Sequence, residues 1–350
     1  MAHSKYYRQY HGKKEGNIIR KIGVKRLIII AALLLFTGGS VIYKAAEEVK
    51  IVKKAGDKEY GSIINADIDS LRYDEDGDLI RTDRKVTVEV IDVGEGLSVF
   101  IKSGSFEVLI DGGTAEKTDA VYRVLNGSVS GELDYVINTH PHAEHYGGLT
   151  GLYDKVRVKN TIYGAKSRDK DFKEFLKKAG KAPGSKVFKG KNMNISLGSG
   201  VILCLFDRAC TDSFDDDNKS LICLLKYNGE DVLLVTGDAQ KKETEKLKGI
   251  VESKVRLYVA GAHGGEFANT PEFLSMIDPE IIVIPSLAPG KSGANLPAPR
   301  FLKTIAERGY EAYGTYKGGN FVMTIRGGDV TVNRQSEQQV GPSERAEPSL

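Results

Sequence analysis

The chain has 350 residues, 41% of them hydrophobic, enough to bury one sizeable core and leave room for appendages. Its net charge of +3 is unevenly spread: residues 1–26 hold eight Lys or Arg against Glu15, so the remainder is net acidic. The basic overall balance is thus a property of the tail and says little about the partners of the rest, while three cysteines exclude an even disulfide framework.

Residues 27–43 are a run of seventeen uncharged, mainly apolar side chains. As a helix the run would be roughly 26 Å long, near the lower limit for a bilayer, with Arg26 and Lys44 able to reach the headgroups. The basic segment before it predicts a cytoplasmic N-terminal tail, a single-pass cell-membrane anchor and an extracellular remainder. A cleaved signal peptide is the competing reading, although Tyr43-Lys44-Ala45-Ala46 is a poor cleavage site; a buried core helix fits less well with the flanking charges. Residues 44–85 are charged and lack long apolar runs, the composition of a polar stalk. Within them Asp74-Glu75-Asp76-Gly77-Asp78 invites a calcium-loop reading, but the closing Glu is missing and a solvated turn is expected.

From Val86 the pattern turns alternating and β-branched. Residues 86–92, 97–102 and 106–110 read as strands joined by glycine-containing turns, and Asp111 ends the third beside Gly112-Gly113. Residues 133–138 form another short β-branched run. It ends where Thr139-His140-Pro141-His142-Ala143-Glu144-His145-Tyr146-Gly147-Gly148 begins. The chain has six histidines; His3 and His11 lie in the tail, and the other four are His140, His142, His145 and His263. His140 and His142 can point the same way from an extended loop, while Glu144 and His145 can turn toward a second position. Imidazole and carboxylate together suit Zn²⁺ or a similar transition ion, against the plainer alternative of a polar loop with solvated histidines.

Beyond this motif, strands are expected at 157–163, 201–206, 221–227, 232–236, 256–260, 281–285 and 321–326. Helices are expected at 169–179, 240–247, 271–277 and 299–308, the last two begun by proline. Residues 155–191 hold thirteen Lys or Arg against three carboxylates, either a polyanion-attracting block or the solvated face of a helix. Cys204 and Cys223 read as small core residues, and a Cys204 to Cys210 bridge is left open. Residues 212–217 are expected to form a solvated acidic loop. Residues 334–350 are polar and expected to be a disordered tail.

In order along the chain, Ile91-Asp92-Val93-Gly94-Glu95-Gly96, Leu109-Ile110-Asp111-Gly112-Gly113, the histidine motif, Asp217-Asn218-Lys219-Ser220, Thr236-Gly237-Asp238-Ala239 and Ala262-His263-Gly264 form a set. That set resembles the metallo-β-lactamase superfamily, whose signature is H-x-H-x-D-H followed by Gly-Gly, and more narrowly the hydrolase domain of ComEC-type competence proteins. The resemblance implies an α/β fold, an αββα four-layer sandwich, over residues 86–333. It also implies two metal ions, Zn²⁺ with Mn²⁺ as the alternative. His140, His142 and His263 or a bridging group would serve one ion, Glu144 and His145 would face the other, and Asp238 would bridge them. Asp111 would support a ligand imidazole from beneath, the alternative being a turn-forming Asp-Gly. Glu144, Asp238 and His263 stand as the catalytic set, and Asn218, Ser220, Lys166 and Arg168 as substrate contacts.

Several positions depart from the pattern. Glu144 stands where Asp is usual, the His-His-Gly-Ser of the competence proteins is Ala262-His263-Gly264-Gly265, and their Asn-x-x-His-Pro is Asn295-Leu296-Pro297-Ala298-Pro299. A further ligand histidine between the first motif and Asp238 is also missing; oxygen from Asp215, Asp216, Asp217 or Asn218, favouring harder ions such as Mn²⁺, is the alternative to the solvated acidic loop preferred for this stretch. The function expected is a membrane-anchored extracellular metal-dependent hydrolase of phosphodiesters, DNA foremost, acting by metal-activated water. The alternatives are a catalytically weakened relative that binds nucleic acid or another polyanion, and, by fold analogy, β-lactam hydrolysis.

Overall fold

The computed structural model of the protein describes residues 72–73, 79–128, 131–207, 215–251, 254–317 and 319–333. The expected N-terminal tail, the anchor at 27–43, Cys210 and the C-terminal tail lie outside the described residues. Among those described, no helix is long and apolar enough to cross a membrane. A two-residue hairpin, β1 (Arg72–Tyr73) with β2 (Leu79–Ile80), precedes the first sheet. The Thr82 carbonyl accepts from the Tyr227 hydroxyl at 2.8 Å and the Asn228 amide at 3.0 Å. Thr82 is thereby tied to the folded body, while residues 44–71 of the expected stalk lie outside the described residues.

Alternating sequence builds the first sheet. In β3 (Val86–Val90), Val86, Val88 and Val90 are buried while Thr87 and Glu89 are half-buried, the period of two that a pleated strand imposes. It is followed by β4 (Val99–Ser103), β5 (Phe106–Ile110), helix α1 (Thr118–Ser128), β6 (Glu132–Asn138), helix α2 (Ala143–Leu152), β7 (Arg157–Tyr163), helix α3 (Lys170–Lys181) and β8 (Lys186–Lys189). The second sheet takes β9 (Met193–Ser196), β10 (Val201–Asp207), β11 (Leu221–Tyr227), β12 (Glu230–Val235), β13 (Leu257–Val259), β14 (Ile281–Ile284) and β15 (Glu311–Gly314). Between them run the short α4 (Lys241–Thr244), α5 (Pro271–Ile277) and α6 (Pro299–Arg308). The chain then returns to the first sheet with β16 (Phe321–Arg326) and β17 (Asp329–Asn333), giving the orders β17-β16-β3-β4-β5-β6-β7-β8 and β15-β14-β13-β12-β11-β10-β9.

One apolar core lies between the sheets, joining Val88, Ile101 and Ile110 to Leu203, Cys223, Leu225 and Leu233. The opposite faces are covered by helices. Phe100, Leu109 and Val136 pack with Val121, Leu149, Phe172 and Phe175, while Ile222, Leu224 and Ile282 pack with Phe273, Leu274, Phe301 and Ile305. Neighbouring β11 residues thus serve different cores, Cys223 inward and Leu224 outward, so a one-residue slip would exchange them. Four layers result. The expected elements appear at or near their places, while β1, β2, α1, α2, β8, β9, β15 and β17 are additions, and the helix expected at 240–247 is α4 followed by a 3-10 turn, Glu245–Leu247.

Strand direction decides where chemistry can gather. β5 to β8 are parallel, as are β12 to β15, so the turns after β5, β6, β7, β12 and β13 leave at strand carboxyl ends. Open parallel sheets bind ligands at such ends.

Candidate metal centre

Asp111, immediately after β5, is the fixed point of this edge. It is fully buried and adopts a left-handed backbone, φ 55°. Its Oδ1 accepts from the Thr139 N–H at 2.8 Å and the Asn138 amide at 3.2 Å; its Oδ2 accepts from the Thr139 hydroxyl at 2.6 Å and lies 2.8 Å from His145 Nδ1. The carboxylate only accepts, so His145 Nδ1 carries the proton and Nε2 turns the other way. Asp111 therefore positions His145 directly and His140 through Thr139, where a simple turn residue was the alternative.

The chain between these histidines is not one extended loop. His142, φ −97° and ψ 147°, is the residue before α2, so Glu144 and His145 are presented by the first helical turn. A helix starting in Ala-Glu-His-Tyr-Gly-Gly is hard to read from propensity, since glycine disfavours it by about 1 kcal/mol relative to alanine. Close approach explains the glycines. A Cβ on Gly148 would sit 2.0 Å from the Gly112 carbonyl oxygen, while its N–H donates to Gly113 O at 2.9 Å. α2 is thereby pressed against the turn that carries Asp111.

Asp238 follows β12 after Gly237 and reaches three imidazoles. Its Oδ1 is 3.4 Å from His145 Nε2, and its Oδ2 is 3.6 Å from His263 Nε2 and 3.9 Å from His140 Nε2. His263 comes from the turn after β13, where Ala262 (φ 46°) and His263 (φ 53°) are both left-handed. Such backbone costs a non-glycine residue of order 1 kcal/mol or more. The ring is held by the Pro285 carbonyl, 3.2 Å from Nδ1.

Three overlapping donor groups emerge: the buried His140, His145 and Asp238, flanked by Glu144, His145 and His263 and by His140, His142 and Asp217, with donor atoms within 4.8 Å of one another in each. This corrects two expectations. His263 was grouped with His140 and His142 but stands with Glu144 and His145, its ring centroid 5.2 Å from that of His145. Asp217, expected in a solvated loop, has Oδ1 3.0 Å from His142 Nδ1 and 3.7 Å from His140 Nε2, taking the place of the missing imidazole. The available signal was its position just ahead of β11, at the same edge as β12's carboxyl end.

Ser220 is also corrected. It is buried, with Oγ 3.3 Å from His140 Nδ1 and accepting from the Asp238 N–H at 3.0 Å, which makes it a support for two donors in place of a substrate contact. Asn218 spends its side-chain oxygen on the Gln240 N–H at 3.2 Å. Lys166 and Arg168 are exposed in the turn after β7, beside His140's own turn, since Gly164 N–H donates to Asn138 O at 2.8 Å. Within the basic block, Lys155, Lys159, Lys177, Lys178 and Lys189 are paired with carboxylates, so its field is smaller than the charge count suggested.

Electrostatics fit cation binding. Burial, reinforced by the neighbouring His145, pushes the His140 pKa well below the ordinary imidazole value, keeping a lone pair available. Burial also opposes charge on His145, but Asp238 and Asp111 outweigh it and carry the pKa well above the usual value. Burial likewise opposes the Asp238 anion, and the surrounding imidazoles, His145 first, overcome it and hold the carboxyl well below the usual range. The site thus demands positive charge. His145 Nε2 and His263 Nε2 are buried and make no hydrogen bond, an arrangement costing about 1–3 kcal/mol for each such atom if nothing satisfies it. Two unsatisfied ring nitrogens aimed at one carboxylate fit a divalent ion, and the group of His140, His142 and Asp217 fits another sharing Asp238.

Residues 91–197 match the Metallo-beta-lactamase superfamily. The chain is similar to "Competence protein ComA" of Neisseria gonorrhoeae, 25% identical over 219 residues, which cover 58% of this chain and 27% of that protein. It thus matches about a quarter of the length of that relative. Among solved structures, Igni18, a metallo hydrolase from Ignicoccus hospitalis, is 15% identical with TM-score 0.44, covering 71% of this chain and 99% of that one. The metallo-beta-lactamase fold protein YhfI from Bacillus subtilis is 11% identical with TM-score 0.46, covering 72% of this chain and 100% of that one. The ordered motifs and the match over residues 91–197 together support a likeness to the metallo-β-lactamase superfamily, with a competence protein among the similar proteins.

Proposed function

We propose that the protein is a membrane-anchored, extracellular, metal-dependent hydrolase of phosphodiesters, with DNA as its substrate class. The observation that carries this reading is the pair of donor groups sharing Asp238, with two buried imidazole nitrogens left unsatisfied toward it. His140, His142 and Asp217 would hold one cation, and Glu144, His145 and His263 the other. Bound there, divalent cations supply Lewis acidity, which acidifies water and neutralises charge developing on phosphate oxygens. Zn²⁺ suits the imidazoles, while the carboxylates of Asp217 and Glu144 shift the balance toward Mn²⁺.

The chain's own groups do the rest. Asp111 and the Pro285 carbonyl fix the rings of His145 and His263, so their site-facing nitrogens need no reorganisation. Glu144 has a side chain 35% exposed, at the solvent-facing side of the centre, where a carboxylate can meet water. Lys166 and Arg168 lie in a turn next to His140 and have no carboxylate partner among the described residues, a suitable place for substrate phosphates. Similarity to a competence protein supports DNA over a β-lactam. Anchoring rests on the apolar run at 27–43 and the basic residues before it.

The test is hydrolysis by the full chain, purified in mild detergent, with Mn²⁺ or Zn²⁺, on single- and double-stranded DNA, bis-p-nitrophenyl phosphate and a chromogenic cephalosporin. Metal-dependent cutting of the phosphodiesters is expected. Salt-sensitive DNA binding without turnover on any substrate would instead identify a binding module, and turnover of the cephalosporin alone would make it a β-lactam hydrolase.

A further inference from the structure

Among the described residues, one large hydrophobic side chain is exposed: Phe267, with 67% of its surface in water. It follows His263 closely, in a loop that is tightly held. Buried Asn269 donates to the Gly261 carbonyl at 2.8 Å and the Gly265 carbonyl at 2.6 Å, and its Oδ1 accepts from the Tyr258 hydroxyl at 2.8 Å. The same hydroxyl accepts from the Gly261 N–H at 3.0 Å. The loop is pinned to the body by its backbone, yet its phenyl ring is left out of the core.

Phe267 borders a cleft of about 280 Å³ also lined by Lys241, Glu266, Arg300 and Phe301. Lys241 comes just after Asp238, and Glu266 just after His263, so the cleft is built from chain leaving the metal centre. Its chemistry is mixed. An aromatic face stands with two cationic side chains and two carboxylates, Glu272 and Glu266, the latter with Oε2 3.8 Å from Arg300 Nη1. That lining is too polar for a lipid and too aromatic for a bare anion. A flat ring with amino donors at its edge and phosphate beside it matches this lining: the ring stacks on Phe267, the carboxylates accept from the amino edge, and Lys241 and Arg300, each in a long ion pair at 3.9 and 3.8 Å, can turn to the backbone.

We propose that this cleft is a nucleoside subsite, in which Phe267 stacks on an unpaired base next to the bond to be cut while Lys241 and Arg300 lie along the phosphates. The subsite deepens the nucleic-acid reading above and rests on it. It favours single strands, whose bases are free to stack on a side chain.

Two measurements on the full chain separate the two ideas. The first is equilibrium binding of a fluorescent mixed-sequence 12-nucleotide single strand in EDTA. Phe267→Ala is expected to weaken it about tenfold, and Phe267→Tyr to retain it. The second, with metal, is the ratio of kcat/KM for that strand to kcat/KM for bis-p-nitrophenyl phosphate, expected to fall about tenfold in Phe267→Ala and to be kept in Phe267→Tyr. A wild-type chain that binds the strand in a Phe267-dependent way but cuts nothing would uphold the subsite and sink the hydrolase. No binding by the wild type, or equal losses on strand and small diester with a lowered Tm, would overturn the subsite. Unchanged binding and an unchanged ratio in Phe267→Ala would do the same.

Discussion

The two halves of the metal centre are built differently. Around Glu144, His145 and His263, both imidazoles are almost wholly buried and each is held from behind, by Asp111 or by the Pro285 carbonyl. Around His140, His142 and Asp217, only His140 is buried; the side chains of His142 and Asp217 are 37% and 25% exposed. His140 leans on two hydroxyls, Thr139 at 3.1 Å and Ser220 at 3.3 Å. The first half sets two buried, fixed imidazoles beside the solvent-facing Glu144, and the second has one buried imidazole beside the solvent-facing His142 and Asp217. Fixed donors lose less entropy on binding, so the half containing His145 should hold its ion more tightly and the other should load second.

The largest effect is expected where the halves meet. Asp238→Asn removes the shared charge, and with outer partners of metal ligands alone costing 10–100-fold, loss of a shared donor should lower the rate by on the order of 10³-fold or more. Metal analysis should show both ions weakened. If one ion stays bound at full occupancy, the centre is not a shared one.

Substitutions away from the shared donor sharpen the comparison. Asp111→Asn should weaken the tighter binding step by roughly 10–100-fold, because His145 loses the carboxylate that fixes its tautomer. Asp217→Ala should weaken the other step and leave the tighter one near its original value. Competition with a coloured chelator resolves the two steps, and equal effects of both variants on both steps would erase the distinction. Asp217→His restores an imidazole to the looser half and should move its preference from Mn²⁺ toward Zn²⁺ by about tenfold or more.

Much of this arrangement could be read from the residues because the fold delivers strand ends to one edge. The histidine motif, Asp238 and His263 each follow a short apolar run, and parallel strands bring such ends together. What could not be read was the sorting into halves. It depends on the parallel pairing of strands separated by intervening chain, such as β12 with β13, which a local pattern does not show. Asp217 was hidden for a further reason: acidic neighbours give it the composition of a solvated loop, and only the start of β11 brings it to His142. Ser220 shows the same limit, since a serine before a strand carries no mark of being buried under a histidine. The helix starting at Ala143 was obscured by glycines that are there for close contact, Gly147 with Thr114 and Ala115 and Gly148 with Gly112 and Gly113, and not for a turn.

The smallest expected effect, and the one that separates two roles, belongs to Glu144. The family pattern has the shorter Asp there, and one methylene shifts a carboxylate by about an ångström, a large change against metal–oxygen distances of about 2 Å. In this chain the longer side chain still brings an oxygen within 4.8 Å of donor nitrogens on His145 and His263, so it reaches the preorganised half without rearrangement of α2. Its Oε1 also lies 4.0 Å from His142 Nδ1, toward the looser half. A ligand role predicts that Glu144→Asp, presented from the same first helical turn, retains two ions per chain and changes the rate by less than about tenfold, since the helix end can settle toward the shorter group. A role as general base predicts the opposite signature: metal content unchanged, rate lowered by about 10²-fold, and the acidic limb of the pH–rate profile displaced. The presence of His145 and His263 beside it, both with nitrogens left unsatisfied, favours the ligand role. One ion per chain in fully active protein, with Glu144→Asp inactive, would reverse that assignment and leave the exposed half without a metal of its own.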